Sequence, residues 1–302
     1  MSTHHAPTTP RLAPLLDTWA QGADVRRLLA AVGRAGTVDV SASEGARPFV
    51  IAALAGASAS SGPVVVVTAT TREADDLAAA LTGLLPADRI GVFPSWETLP
   101  HERLSPRSDT VGRRLAVLRR IAHPDPDDAA YGPLSVVVAP VRAILQPIST
   151  GLAELVPVAL KAGDERPLDE VVDALVAAAY TRTDLVERRG EFAVRGGILD
   201  VFPPTEEHPV RVEWWGDTVE EVRAFKVADQ RSLGISPETG GKGLLEHGLW
   251  APPCRELLLT PDVRHRARAL AESHPELAEI CVKIADGHPV EGMEALAPVL
   301  VD

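Results

Sequence analysis

The chain has 302 residues, of which 45% are apolar and 24% charged, and its formal net charge is −12 at pH 7. This length is typical of two domains, and the composition is that of a folded globular protein. The acidic balance argues against nucleic-acid binding through overall charge, and Cys254 and Cys281 are too few for a disulfide framework or a four-cysteine zinc site. Neither a membrane-spanning apolar run nor a secretory leader pattern occurs, so we expect a cytoplasmic protein without membrane contact.

The first half of the chain alternates predicted helices and strands. Residues 1–11 are polar and predict a flexible tail, and apolar spacing predicts two short helices within 12–35. Beyond them we expect strands at 37–41, 63–68, 89–93 and 134–139, and helices at 49–59, 73–85 and 110–122. Uninterrupted valine runs between helices are typical of a parallel sheet that is covered on both faces.

From about residue 150 the pattern becomes that of an α+β domain. Apolar positions from Leu168 to Ala179 predict one helix, and hairpins are predicted at 191–202 and 210–225 around glycine-containing turns. Further on, we expect a strand at 255–260 and helices at 261–273 and 275–285. The last residues are apolar without a closing element, so we expect the chain to be a fragment of a longer protein.

The turn after the first predicted strand occupies the position of a phosphate-binding loop in nucleotide-binding α/β domains. Aligning Arg47 with the lysine of G-x-x-x-x-G-K-[ST] puts Ser41 and Ala46 at the two glycines and Pro48 at the hydroxyl that binds Mg²⁺. Proline lacks an N–H group, and Glu44 adds negative charge where an anion would bind. We therefore predict a degenerate, non-functional phosphate loop. Motifs for a metal site or a catalytic nucleophile are also absent from the sequence, so no catalytic residue and no metal ligand is predicted.

Strand alternation in the two predicted hairpins gathers charged side chains on one face of a sheet. Arg195, Arg211 and Glu213 share that face, opposite the apolar positions that face the core. Phe202 is expected on the same outer face, beside a carboxylate. Arginine combined with exposed aromatic side chains is typical of protein–protein interfaces, although an ordinary half-polar sheet surface would have the same pattern.

Arginines also cluster in and before the helix predicted at 110–122. They leave the apolar stripe of that helix free and fall on its remaining surface. A solvated helix face and a surface for nucleic-acid phosphates both fit this arrangement. The cluster comprises Arg103, Arg107, Arg113, Arg114, Arg119 and Arg120.

Five strings of the sequence resemble one family, the N-terminal modules of the bacterial transcription-repair coupling factors (Mfd). That module is itself similar to the excision subunit UvrB. The strings are FPSWETLP at 93–100 with Ser105-Pro106, VVVAPVRAI at 136–144, YTRTDLVERRGEFAVRGGILDVFP at 180–203, VRVEWWGDTVEE at 210–221 and FKVADQRS at 225–232.

The resemblance implies an α/β fold: a helicase-like parallel-sheet domain, in parts 1A and 1B, with an inserted UvrB-like α+β domain 2. Residues 1–24 then form a flexible tail and a short helix, and 25–149 form domain 1A, a degenerate nucleotide-binding domain. Residues 150–234 correspond to domain 2, and 235–302 to a truncated domain 1B.

The resemblance further implies that domain 2 docks UvrA, the ATPase that loads the excision machinery. The matching positions are Arg182, Arg195, Arg211 and Glu213, with Phe202 as a fifth candidate. RNA polymerase and double-stranded DNA are implied as partners of downstream domains outside this chain, and ATP and Mg²⁺ as cofactors of the translocase motor there. The chain is thus predicted to be a UvrA-recruiting module with no cofactor and no ATP hydrolysis of its own.

Two alternatives remain open at this stage. A nucleotide-dependent UvrB-like repair enzyme would need a working phosphate loop, and a DNA-binding module would depend on the arginine cluster against the net charge of −12. One departure also weakens the match to UvrB-like proteins, because Ala193 stands where they often carry a further arginine.

Overall fold

The computed structural model describes residues 10–32, 36–57, 62–99, 102–125, 132–233, 245 and 248–301. Most of the predicted tail at 1–11 lies outside the described residues. The chain divides into two compact units: unit 1 comprises residues 1–95 and 117–146, and unit 2 comprises 96–116 and 147–302. The domain ranges assigned from the family resemblance stay predictions.

Unit 1 contains a three-stranded parallel sheet, as the valine runs predicted. Its strands are β1 (Val64–Thr68), β2 (Ile90–Val92) and β3 (Val136–Pro140), in the order β1-β3-β2. The helices are α1 (Ala13–Ala20), α2 (Ala23–Val32), α3 (Arg47–Ala57), α4 (Thr71–Leu81), α5 (Ser108–Ala122), whose second half belongs to this unit, and α6 (Val141–Leu145).

Both faces of the central strand β3 are packed. Val136 and Val138 contact apolar residues of α3 and α4 on one face, whereas Val137 and Ala139 lie in a second cluster with Val117. The N-terminus of α4 is capped by the Thr70 side chain, whose oxygen accepts a hydrogen bond from the Glu73 N–H at 3.2 Å. Packing on both of its faces explains why β3 is buried along its whole length.

The strand predicted at 37–41 does not form. These residues are irregular, and Val38 and Val40 are exposed rather than paired with a neighbouring strand of the described sheet. An alternating apolar pattern favours a strand only where the fold supplies a hydrogen-bonding partner, which is absent here among the described residues.

Unit 2 is built on a five-stranded sheet with the order β5-β6-β7-β8-β9. The edge strand β5 is parallel to β6, and the other pairs are antiparallel. Both predicted hairpins are confirmed, and Gly196 and Gly216 adopt the positive φ angles that their turns require. The ranges are β5 (Thr181–Arg182), β6 (Glu191–Arg195), β7 (Ile198–Val201), β8 (Val210–Trp215) and β9 (Thr218–Ala224).

One face of this sheet, the inner face, packs on the main core of unit 2. Phe192, Leu199 and Val212 share a core with apolar residues of α7 (Leu168–Ala177). The antiparallel pair of β4 (Val158–Leu160) and β10 (Leu249–Ala251) contributes to the same core. A stretch beyond residue 234 therefore completes the core of the sheet.

The C-terminal part of unit 2 is helical. It contains α8 (Pro261–Ser273), α9 (Ala278–Ala285) and α10 (Ala297–Leu300) around a separate apolar core that includes Cys281. The strand predicted at 255–260 is wrong, because Arg255 and Glu256 are held by side-chain ion pairs with Glu294 and Arg114 instead of a backbone ladder. The mixed α/β class is nevertheless confirmed. Among the described residues, no helix is long and apolar enough to cross a membrane.

Candidate functional site

The second face of the five-stranded sheet, here called the outer face, carries charged side chains in two cross-strand rows. The strand register pairs Ala193 with Asp200, Asp200 with Arg211 and Arg211 with Arg223, and we call these four residues the first row. The second row, paired in the same order of strands, consists of Arg195, Ile198, Glu213 and Glu221. The predicted grouping of Arg195, Arg211 and Glu213 on one face is therefore correct.

The first row is dominated by an internal ion pair. The Arg211 guanidinium donates two hydrogen bonds to the Asp200 carboxylate, from Nε to Oδ1 at 2.6 Å and from Nη2 to Oδ2 at 2.8 Å. Asp200 is only 2% exposed, and Arg211 also lies over the Phe225 ring at 4.8 Å. The hydrogen bond to Asp200 raises the pKa of Arg211. Arg211 thus joins β8 to β7 and is largely committed to contacts within the unit.

Phe202 lies on the outer side of the sheet but is not exposed there. With Val186, Ala193 and Phe225 it forms a small second core, and it is 6% exposed. The Arg189 guanidinium covers the Phe202 ring at 5.1 Å from the ring centre. The exposed aromatic that the alternation predicted at this position is therefore wrong, because the loop from β5 to β6 covers it.

The second row is more accessible. Its residues Glu213 and Glu221 both form ion pairs with Arg223 of the first row, and the Arg223–Glu221 distance is 3.1 Å. The side chains of all three are about a quarter exposed. Arg195 is exposed, and its Nη2 donates a hydrogen bond to the Asp184 carbonyl oxygen at 3.2 Å. That bond leaves most of the N–H donors of the guanidinium available to a partner.

Arg182 stands apart from the other four predicted residues. It lies in the edge strand β5 opposite Phe192, so it has the register of the inner face. Its side chain is exposed and makes neither a hydrogen bond nor an ion pair with another described residue. The structure thus brings Arg195, Phe202, Arg211 and Glu213 to the outer face, and leaves Arg182 accessible at the sheet edge.

Trp215 also lies on the outer face, although it is not one of the five predicted site residues. It is 81% exposed, whereas the adjacent Trp214 is buried and donates a hydrogen bond from Nε1 to the Arg166 carbonyl oxygen at 2.9 Å. The alternation that assigned Arg211 and Glu213 also assigned Trp215 to this face. The alternation of β8 could therefore have added Trp215 to the predicted site residues.

The segment predicted to be a degenerate phosphate loop borders a cavity of 510 Å³ in unit 1. Ser41 and Arg47 line this cavity together with apolar residues of α3 and β1, and Glu73 adds a carboxylate. Ala46 ends a short 3-10 turn, and α3 begins at Arg47-Pro48. Pro48 at the second helical position removes one of the N–H groups that would otherwise face a bound anion.

The arginine cluster of α5 is not a uniform solvated face. Arg114 is fully buried, and its Nε lies 2.5 Å from Glu256 Oε1, which also accepts a hydrogen bond from Trp96 Nε1 at 3.0 Å. Arg120 donates to the carbonyl oxygens of Asp88 and Gly132. These two arginines serve the packing of the protein. Among the described residues, no group of three or more His, Cys, Asp or Glu side chains could hold a metal ion.

Comparison with known proteins finds a match to one domain family and similarity to a set of longer proteins. Residues 158–238 match a family described as the UvrB interaction domain. The transcription-repair-coupling factor of Mycobacterium tuberculosis (strain CDC 1551 / Oshkosh) is 54% identical over 277 residues, which are 89% of this chain and 21% of that protein. The corresponding factor of Myxococcus xanthus is 33% identical over 84% of this chain and 21% of its own length.

A shorter similarity extends to the UvrABC system. UvrABC system protein B of Natronomonas pharaonis is 35% identical over 104 residues, which are 34% of this chain and 15% of that protein. The chain therefore spans about a fifth of the length of the coupling factors that it matches. These similarities confirm the resemblance that the five sequence strings indicated.

Proposed function

Because the chain is homologous over 89% of its length to the N-terminal region of the transcription-repair-coupling factors, we propose that it recruits UvrA. In this proposal it is a binding module that links a stalled RNA polymerase to nucleotide excision repair. RNA polymerase and double-stranded DNA bind to other parts of the longer family protein, as do ATP and Mg²⁺.

The observation that carries the proposal is the accessible arginine pair at the sheet of unit 2. Arg182 and Arg195 are exposed and lie within the stretch that matches the UvrB interaction domain. Arginines with free N–H donors bind carboxylates through charge-assisted hydrogen bonds, which are about twice as strong as neutral ones. Arg195 on the outer face and Arg182 at the sheet edge can each bind an acidic group of UvrA.

The other three candidate residues have distinct parts in this proposal. Glu213 is about a quarter exposed and can accept a hydrogen bond from the partner at the rim of the surface. Arg211 and Phe202 support the surface from beneath, since Arg211 is paired with Asp200 and Phe202 is covered by Arg189. Substitution of Arg211 or Phe202 would weaken UvrA binding by changing the shape of the outer face.

Nucleotide hydrolysis is not part of the proposed function. The loop has Ser41 and Ala46 where two glycines would let the backbone approach a phosphate, and Pro48 in place of a metal-binding hydroxyl. We expect a filter-binding assay with radiolabelled ATP to give no saturable binding. Saturable binding would favour a nucleotide-dependent enzyme instead.

A pull-down of UvrA by the immobilised chain tests the recruitment. We expect the wild-type chain to retain UvrA and the variants Arg182→Ala and Arg195→Ala to retain much less. Arg72→Ala is the matched control, because Arg72 is an arginine of unit 1 whose side chain is 92% exposed. Equal retention by all four proteins would contradict the proposed surface, and no retention by the wild type would contradict the proposed function.

A further inference from the structure

Trp215 is the most exposed large apolar side chain among the described residues. At 81% exposure it exceeds Leu145, the next at 79%. Its indole N–H has no acceptor within the described part of the chain, whereas Trp214 supplies both the packing and the hydrogen bond of this hairpin end. The fold therefore derives little stability from the Trp215 ring, which leaves most of its apolar surface open to a partner.

The position of Trp215 makes it continuous with the proposed docking surface. On β8 it follows Glu213 by two residues. The pairing with β9 is irregular between Glu213 and Trp214, but the alternating burial of β8 places Trp215 on the outer face. The Trp214 N–H donates to the Gly197 carbonyl oxygen at 2.9 Å, so this end of β8 lies against the turn that immediately follows Arg195. An exposed indole and an exposed guanidinium thus occupy the same end of the outer face.

A second apolar side chain accompanies Arg195 from the other direction. The Arg195 guanidinium is held by the carbonyl oxygen of Asp184, and the next residue, Leu185, is exposed. Exposed apolar residues therefore occur on the loop that holds the cation, at Leu185, and at the same end of the outer face, at Trp215. Tryptophan and arginine at the centre of an interface are the residue types that most often carry its binding energy.

We propose that Trp215 is the apolar anchor of the UvrA-docking surface, an inference that rests on the proposed function. Its indole inserts into an apolar pocket of UvrA that lies beside the carboxylate bound by Arg195. The ionic contact orients the two proteins, and burial of the indole slows their dissociation. The partner chemistry is thus specific: an acidic group with an adjacent apolar pocket.

Calorimetric titration of UvrA with the full 302-residue chain tests the anchor. We expect Trp215→Ala to weaken binding at least about 30-fold, which is the usual threshold for a residue that dominates an interface. Trp215→Phe should restore a large part of the affinity, because it keeps an aromatic ring in the pocket. Leu145→Ala is the control for loss of an equally exposed apolar side chain, and it should leave the affinity unchanged within about two-fold.

Each contrary outcome has a distinct meaning. Wild-type affinity in Trp215→Ala, together with a loss in the Arg182→Ala/Arg195→Ala variant, would overturn the anchor and leave the recruitment function in place. Absence of UvrA binding by the wild type would overturn both. Equal losses in Trp215→Ala and Leu145→Ala would overturn the anchor, as would sedimentation showing that the ring instead joins two copies of this chain.

Discussion

The two faces of the five-stranded sheet use alternate residues of the same strands for different purposes. The inner face is a continuous apolar core in which Phe192, Leu199 and Val212 are fully buried. The outer face has two charged rows, a small separate core under one loop and an exposed tryptophan at its end. A single alternating sequence therefore separates residues that stabilise the sheet from residues that are free to bind.

The same contrast divides the outer face itself. Arg211 and Arg195 point to the same side, yet Arg211 is bound to Asp200 and stacked on Phe225, whereas Arg195 is exposed. Identical residue types on one face thus differ in function according to what covers them. Register alone assigns a face, and tertiary contacts decide whether a side chain on it is available.

The largest expected effect is on the inner face. Phe192→Ala should lower the free energy of unfolding by about 3–5 kcal/mol, because it leaves a cavity in a fully packed core. Urea denaturation followed by circular dichroism would measure it. Trp215→Ala is the outer-face comparison and should stay within about 0.5 kcal/mol of wild type. Similar losses in the two variants would contradict the division between the faces.

The next effect concerns the covered part of the outer face. Arg211→Ala should cost about 2–3 kcal/mol of stability, because it leaves the buried Asp200 carboxylate without its cation. Removing both partners in Arg211→Ala/Asp200→Ala should recover part of that loss, and thermal denaturation of both variants measures the difference. The Asp200→Ala variant is compared with wild type in the same way. If Asp200→Ala lowers the stability of Arg211→Ala by as much as it lowers that of the wild type, the two residues are independent.

Arg195→Ala should have the opposite profile from Arg211→Ala. We expect a loss of about 1.5–3 kcal/mol in UvrA binding, from the charge-assisted hydrogen bonds that are removed, with little change in folding stability. Parallel titration calorimetry and thermal denaturation would separate the two effects. A large drop in stability with unchanged affinity per folded molecule would assign Arg195 a structural part instead.

The last expected effect is a gradual loss of stability at alkaline pH. Burial raises the pKa of the Cys254 thiol from 9.0 to about 12 and raises the pKa of Tyr180, whose hydroxyl donates to the Pro252 carbonyl oxygen. Both groups ionise at a lower pH in the unfolded chain than in the folded protein. Their contribution to stability is therefore complete below their unfolded pKa values. It is lost as the pH rises, beginning with Cys254 above about 9.

For one such group the free energy of unfolding should fall by at most about 1.4 kcal/mol per pH unit. Denaturation midpoints between pH 8 and 11 would measure this slope. Cys254→Ala should flatten the part of the slope that belongs to the thiol. An unchanged slope in that variant would show that Tyr180 or other groups account for it.

Much of the fold could be predicted because it depends on local patterns. Valine runs between helices predicted β1 and β3, and the turns at Gly196-Gly197 and Gly216-Asp217 predicted both hairpins. The outer-face register of Arg195, Arg211 and Glu213 followed from simple alternation along the strands. These features need no knowledge of distant parts of the chain.

The errors arose where distant residues decide the outcome. The alternating segment 37–41 and the apolar segment 255–260 were predicted as strands, but no neighbouring strand of the described structure pairs with them. Arg114 belongs to a charged helix pattern, yet its side chain is buried in an ion pair with Glu256, a residue far away in sequence. The covering of Phe202 by Arg189 likewise depends on the path of a loop, which periodicity does not predict.

A calorimetric titration of UvrA with the wild-type chain and with the Arg182→Ala/Arg195→Ala variant would show whether this sheet recruits UvrA. We expect saturable binding by the wild type and its loss in a variant that remains as stable as the wild type. Binding retained by the double variant would move the interface away from this sheet, and absence of binding by the wild type would contradict recruitment itself.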